Sequence, residues 1–230
     1  MKFYNLFPLS IYQSKIELND EEKNKLIAAI ISMKEQNKNT NYKGIEDSWT
    51  GDMYGFDNLH KNENFDNLFL EVKKKIIEYL DQLKIDHEQL DVYIQRSWGT
   101  ISNGKERIAQ HSHAQSHISF SYYLKKSDKD SNLVIYDNNK PNEFIPELFA
   151  SETIIKRKIL KGPSLYTAHT ITLKVAEGDI IIFSSKTKHG TERNINNDER
   201  ISISADIMIL AKNANKLEHL IPPLENWKKI

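Results

Sequence analysis

Residues 110–124, QHSHAQSHISFSYYL, place His111 and His113 two positions apart. On a strand, that spacing projects both imidazoles to one side, where they could chelate a single metal ion. A third imidazole, His189, arrives from a loop that precedes another strand. Neutral imidazole ligates Fe, Cu, Ni and Zn, and three of them on one side of an ion leave its other positions open. A second kind of chemistry lies in Arg200-Ile201-Ser202, where a guanidinium and a hydroxyl share one side of a strand. A guanidinium taken from water needs an anion beside it. A distant acidic residue could supply it, or a small carboxylate could be held by the Arg200 fork and the Ser202 hydroxyl.

Period-2 patterning places these groups. From Arg200 onward, Arg200, Ser202, Ser204 and Asp206 alternate with Ile201, Ile203, Ala205 and Ile207, so one side faces a core and the other a polar interior. His111, His113, His117, Ser119, Ser121 and Tyr123 likewise share a parity opposite Ile118, Phe120, Tyr122 and Leu124. The pattern predicts strands over 3–13 (an edge strand, because of Pro8), 92–98, 107–111, 118–124, 133–136, 171–175, 180–183 and 200–210. Before them, Asn19 and Asp20 can cap a helix whose apolar stripe is Leu26, Ile27, Ile30 and Ile31, ending in the polar run 36–41. A second helix runs from about Glu63 to Leu83, with Phe65, Leu68, Phe69, Val72, Ile76, Leu80 and Leu83 on one side. Residues 140–168 read as an excursion over the mouth of the barrel. Strands with helices confined to the N-terminal part predict a mainly β fold, a jelly roll backed by amphipathic helices. The expected organisation is a single domain over 1–230, with helical support at 1–90, a jelly-roll core at 91–212 and a tail at 213–230.

Bulk composition excludes several classes. The chain has 230 residues with 32 basic and 32 acidic side chains, so no field for nucleic acid or a membrane surface arises from charge. With no cysteine there are no disulfides and no thiolate metal ligands. The first twenty residues lack an uninterrupted apolar stretch, so no secretory leader is expected, nor is a membrane span; the expectation is a cytoplasmic protein.

The order HSH (111–113), ISFSYYL (118–124), GDIIIFSSKTKHG (178–190) and ERISIS (199–204) resembles the Fe(II)/2-oxoglutarate-dependent oxygenases, especially a group with an HxH first motif. The similarity extends upstream through SWTGDMYGFDNL and YIQRSWGTIS. The resemblance implies a double-stranded β-helix and an oxygenase using Fe(II) and 2-oxoglutarate. It would hydroxylate a substrate C–H and release succinate and carbon dioxide. It also implies that His111 and His189 ligate the metal, while Arg200, Ser202 and Tyr123 hold the far carboxylate of 2-oxoglutarate.

His113 departs from the family pattern, in which Asp or Glu usually occupies its position. It could ligate as a third histidine or turn away and vacate a position; alternatively, a carboxylate from elsewhere, such as Asp137, could complete the set. His117 and Trp98 are candidate substrate-pocket residues, and Asp137 is grouped with them. No catalytic residue beyond the metal site is expected. The alternatives are a three-histidine cupin-type dioxygenase or isomerase working without 2-oxoglutarate, and a non-catalytic metal-binding jelly-roll module.

Overall fold

The N-terminal helix starts where its sequence supplies both halves of a capping box. Asn19 Oδ1 accepts from the Glu22 N–H at 2.9 Å, and the Glu22 carboxylate accepts from the Asn19 N–H at 3.1 Å. The computed structural model describes residues 1–37, 48–129, 131–137, 139–162, 164–193, 195 and 197–230. In it α1 spans Asp20–Gln36 and α2 spans Asp66–Gln82. Most of the polar run expected after α1 lies outside the described residues. Neither helix, nor any other described one, is long and apolar enough to cross a membrane.

Two antiparallel sheets follow. The strands are β1 (Tyr12–Lys15), β2 (Trp49–Thr50), β3 (Leu90–Ser102), β4 (Ile118–Lys125), β5 (Leu133–Tyr136), β6 (Thr170–Leu173), β7 (Asp179–Ser184), β8 (His189–Thr191) and β9 (Arg200–Ala211). The larger sheet has the order β1-β7-β4-β9-β3-β2, and the smaller β6-β5-β8. This is the double-stranded β-helix expected for the chain.

Alternation decides what each side of the larger sheet meets. Ile180 and Ile182 of β7, Phe120 and Tyr122 of β4, and Ile201, Ile203, Ala205 and Ile207 of β9 pack against Leu26 and Ile30 of α1 and Leu68, Val72 and Ile76 of α2. Each of the Ile, Leu, Val and Phe side chains among them contributes roughly 1.5–3 kcal/mol on burial. The helix comes so close to β3 that a Cβ on Gly99 would lie 2.8 Å from Ile30. The opposite side of β7 sends Ile181 and Phe183 into a second cluster with Tyr123, Leu133, Ile135 and Val175, between the sheets. A strand covered on both sides reads as a continuous apolar run, as β7 does.

Several expected boundaries move. The edge strand is Tyr12–Lys15 rather than 3–13, paired with β7. β3 is longer than 92–98 and has an irregularity between Ile94 and Arg96. Residues 107–111 form no strand of their own. His111 instead makes an isolated bridge to His189 in β8, a short strand that reads from sequence as loop. Among the described residues of 140–168, the regular element is a short helix, α3 (Glu152–Lys156).

Candidate metal centre

His111 and His113 come together with His189 because the segment carrying them is zipped onto β8 and the turn that leads into it from β7. His111 and His189 exchange backbone hydrogen bonds, both at 2.9 Å, and the His113 N–H donates to the Ser185 carbonyl at 2.9 Å. Thr191 N–H donates to Ile108 O at 3.0 Å, and Ile108 N–H to Thr191 Oγ1 at 3.0 Å. Gly190 makes this approach possible, since a Cβ there would lie 2.9 Å from Ile108 O. The two histidines therefore converge through cross-chain pairing, although HxH does not sit on the regular strand that the parity argument expects.

One ring nitrogen from each of His111, His113 and His189 lies within 4.8 Å of the others. Ring centroids are 4.3 Å apart for His111 and His189, 5.0 Å for His111 and His113, and 5.4 Å for His113 and His189. Every Nδ1 is engaged. His111 Nδ1 meets Ala109 O at 2.9 Å, His189 Nδ1 meets Thr187 O at 2.9 Å, and His113 Nδ1 meets Asp206 Oδ1 at 2.8 Å. Each acceptor fixes its ring as the Nδ1–H tautomer and leaves Nε2 as the lone-pair donor.

Burial lowers the pKa of His111, an effect partly offset by the Ala109 carbonyl and Asp52. Burial, with His111 alongside, lowers His189 to about 3. These two rings are thus neutral near pH 7, the form that binds metal.

Asp206 is fully buried and accepts from many donors besides His113. They are Arg96 Nη2 at 2.8 Å and Nε at 3.2 Å, and Gln115 Nε2, Ser116 Oγ and Ser119 Oγ, each at 3.1 Å. Burial alone would push its carboxyl pKa up, but the bonds from His113 and Arg96 outweigh it and hold the pKa well below the usual range. The carboxylate therefore stands one imidazole away from the centre. Trp98 stacks on His113 at 5.7 Å, with the Arg96 guanidinium 5.1 Å over the same indole.

A cavity of about 380 Å³ extends from these imidazoles to Arg200, and Trp98, Tyr123, Phe183 and Ser202 also line it. Arg200 is only 1% exposed. Its Nη2 donates to Ser102 Oγ at 2.8 Å, and its Nη1 to the Ser131 carbonyl at 3.3 Å and to the Ser131 hydroxyl. Tyr123 pairs with Ser202 in the β4–β9 register. Burial raises the Tyr123 phenol to about 12 despite the nearby Arg200, so it is an O–H donor at neutral pH.

Two expected pocket residues lie elsewhere. His117 is exposed, and its Nδ1 accepts from the Ile209 N–H at 3.0 Å; it secures the end of β4 against β9. Asp137 is spent on its own turn, where Oδ1 accepts from the Asn139 and Lys140 N–H groups at 2.9 and 3.0 Å, so it does not complete the donor set. None of the described residues in 140–168 lines the cavity. Sequence reasoning assigned no role to Arg96 or Ser131 and, although Ser102 with Trp98 could border the pocket, did not pair it with Arg200; the partners of Arg96, Ser102 and Ser131 are 110, 98 and 69 positions away. Asp206 had the correct parity, but its partner could not be read.

Residues 96–206 match the family model described as "Putative 2OG-Fe(II) oxygenase". No curated protein matches the chain. Among solved structures, the fold is similar to a prolyl-4-hydroxylase of Pseudomonas putida, at 10% identity over 87% of this chain and 93% of that one, with a TM-score of 0.52. It is also similar to HygX of Streptomyces hygroscopicus with nickel and 2-oxoglutarate bound, at 10% identity, 87% and 82% coverage and a TM-score of 0.51. A third is the epimerase SnoN in complex with Fe3+, alpha ketoglutarate and nogalamycin RO, at 13% identity, 96% and 89% coverage and a TM-score of 0.54. At these identities the likeness is one of fold. Residues 96–206, the part of the chain that matches the 2OG-Fe(II) oxygenase family model, carry the histidine cluster, Tyr123 and the Arg200–Ser202 pair.

Proposed function

We propose that the protein is an Fe(II)- and 2-oxoglutarate-dependent oxygenase that hydroxylates a substrate C–H, releasing succinate and carbon dioxide. The observation that carries this reading is the convergence of three oriented imidazoles in one cavity with the buried Arg200. The donor set fits the metal: three imidazoles suit Fe(II), and each has an oxygen acceptor on its second nitrogen. His111, His113 and His189 would hold it through Nε2. Three neutral ligands leave the ion's charge uncancelled, and Asp206, hydrogen-bonded to His113, brings a compensating negative charge close by.

The other end of the cavity fits the cosubstrate. Arg200 and Ser202, with the protonated Tyr123, are suited to grip the far carboxylate by charge-assisted hydrogen bonds. Ser131 and Ser102 steady the guanidinium from behind. Phe183 and Leu133 form an apolar wall between the ends and limit water. With iron and 2-oxoglutarate bound, the metal and cosubstrate would bring dioxygen to the C–H bond as the oxidant, one oxygen atom going to the substrate and the other to succinate as 2-oxoglutarate loses carbon dioxide. The chain's own task is to orient both and to keep His111 and His189 unprotonated. An enzyme working without 2-oxoglutarate would have no need for the arginine clamp.

Anaerobic titration of the Fe(II)-loaded protein with 2-oxoglutarate tests the reading through the weak visible metal-to-ligand charge-transfer band. The band is expected in the wild type and is expected to be lost or shifted in His113→Ala. Iron bound without any band in the wild type would defeat the 2-oxoglutarate assignment.

A further inference from the structure

The loop before α2 brings a carboxylate into the same cavity. Gly51–Tyr54 forms a single 3-10 turn in which Phe56 N–H donates to Gly51 O at 2.9 Å. A Cβ on Gly51 would meet Phe56 O at 2.9 Å, so the turn closes this tightly only on glycine. The turn presents Asp52 and Met53 to the cavity, beside Trp98 and His111.

Asp52 is incompletely satisfied. Its Oδ1 is buried and has no hydrogen-bond donor among the described residues. Its Oδ2 lies 3.8 Å from Arg96 Nη1, beyond hydrogen-bond length. Arg96 gives its Nε and Nη2 to Asp206 at 3.2 and 2.8 Å, so one guanidinium stands between two carboxylates and Asp206 has the closer share. A buried acceptor left without a donor is costly, and buried polar groups are nearly always paired. Here the missing donor can come from a bound molecule. Arg96 and His113 already lie against the Trp98 indole. Met53, 67% exposed at the cavity mouth, offers a flexible apolar contact for an aliphatic stem.

We propose that Asp52 anchors a positively charged nitrogen of the substrate, so that the molecule oxidised carries an ammonium or guanidinium group on an aliphatic stem. The assignment of that ligand as the substrate rests on the oxygenase reading above. A cation paired with Asp52 supplies the absent donor, balances the second carboxylate and keeps its stem in the cavity that His111 lines.

The test uses anaerobic protein with Fe(II) and 2-oxoglutarate, titrated separately with n-butylammonium, n-butanol and butyrate. Saturation-transfer NMR reports probe binding, and the charge-transfer band independently reports cosubstrate on iron. Butylammonium is expected to bind in preference to the other two, and at least about 10-fold more weakly to Asp52→Asn, whose band stays intact. No butylammonium binding to the wild type, equal binding to Asp52→Asn, or butyrate binding as tightly would each overturn the proposal. Loss of bound iron in Asp52→Asn would make the carboxylate a metal ligand and overturn it too. Asp52-dependent binding of butylammonium to a wild type that shows no band would sink the oxygenase reading and leave the cation site standing.

Discussion

At one end of the cavity, three imidazoles converge where the proposed metal would sit. At the other, the Arg200 guanidinium donates to serine oxygens. The imidazole end is oriented from within the protein: each Nδ1 has a fixed acceptor, and Asp206 provides negative charge behind His113. At the Arg200 end, the Ser102 and Ser131 hydroxyls accept from the guanidinium and position it. The contrast teaches that metal and anion sites need opposite preparations. A metal site must aim lone pairs that carry no proton, whereas an anion clamp must aim N–H and O–H donors.

The largest way to break this comparison is His189→Ala. It removes the most buried of the three candidate ligands and should abolish stoichiometric iron binding, measured by metal analysis after desalting; a full iron complement would remove His189 from the set. Arg200→Ala should leave iron content near normal and raise the 2-oxoglutarate requirement at least ~30-fold, in line with the 2–5 kcal/mol lost when one partner of a buried charge pair is truncated. Loss of metal with unchanged cosubstrate affinity would reverse the two roles. Asp206→Ala should weaken iron binding by about 10–100-fold, the usual effect of losing a carboxylate behind a ligating histidine. Asp206→Asn, which can still accept from the His113 Nδ1–H, should recover most of that loss; no recovery would assign the effect to charge rather than to orientation.

The smallest effect is on pH dependence. The unfolded-state pKa of His189 is near the ordinary ~6.5, while its folded value is lowered to about 3. Between those values the unfolded chain binds more protons than the folded one. Stability of the metal-free protein should therefore rise with pH across this window and fall as pH drops from about 6.5. Denaturant unfolding at several pH values should show a shallower slope for His189→Gln than for the wild type. An equal slope would place the titration on other groups.

Legibility followed the range of the interactions. The sides of β4, β7 and β9 were readable, because alternation along a strand is a local property that burial preserves. The helices were readable to within a few residues, since Asn19, Glu22 and the apolar stripes act within one or two turns. The local setting of HxH was misread. Residues 107–117 carry strand-like parity, but their hydrogen bonds go to β8, Ser185 and Ile207 rather than along a strand of their own. His117 shared the parity of the site and yet ends up outside it, because the chain between His113 and Ile118 turns before β4 begins.

The one-dimensional chain thus determined which residues could do chemistry: three imidazoles, one arginine with a serine two positions on, and the apolar alternation that turns their backs to a core. Tertiary structure alone decided that His113 turns its Nδ1 to Asp206, that Arg96 stands between two carboxylates, that Ser102 and Ser131 cradle Arg200, and that Asp52 reaches the same cavity. Each of these depends on pairing between segments dozens of residues apart. The register of a long-range strand pair is set by how whole sheets pack, and local pattern carries no record of it.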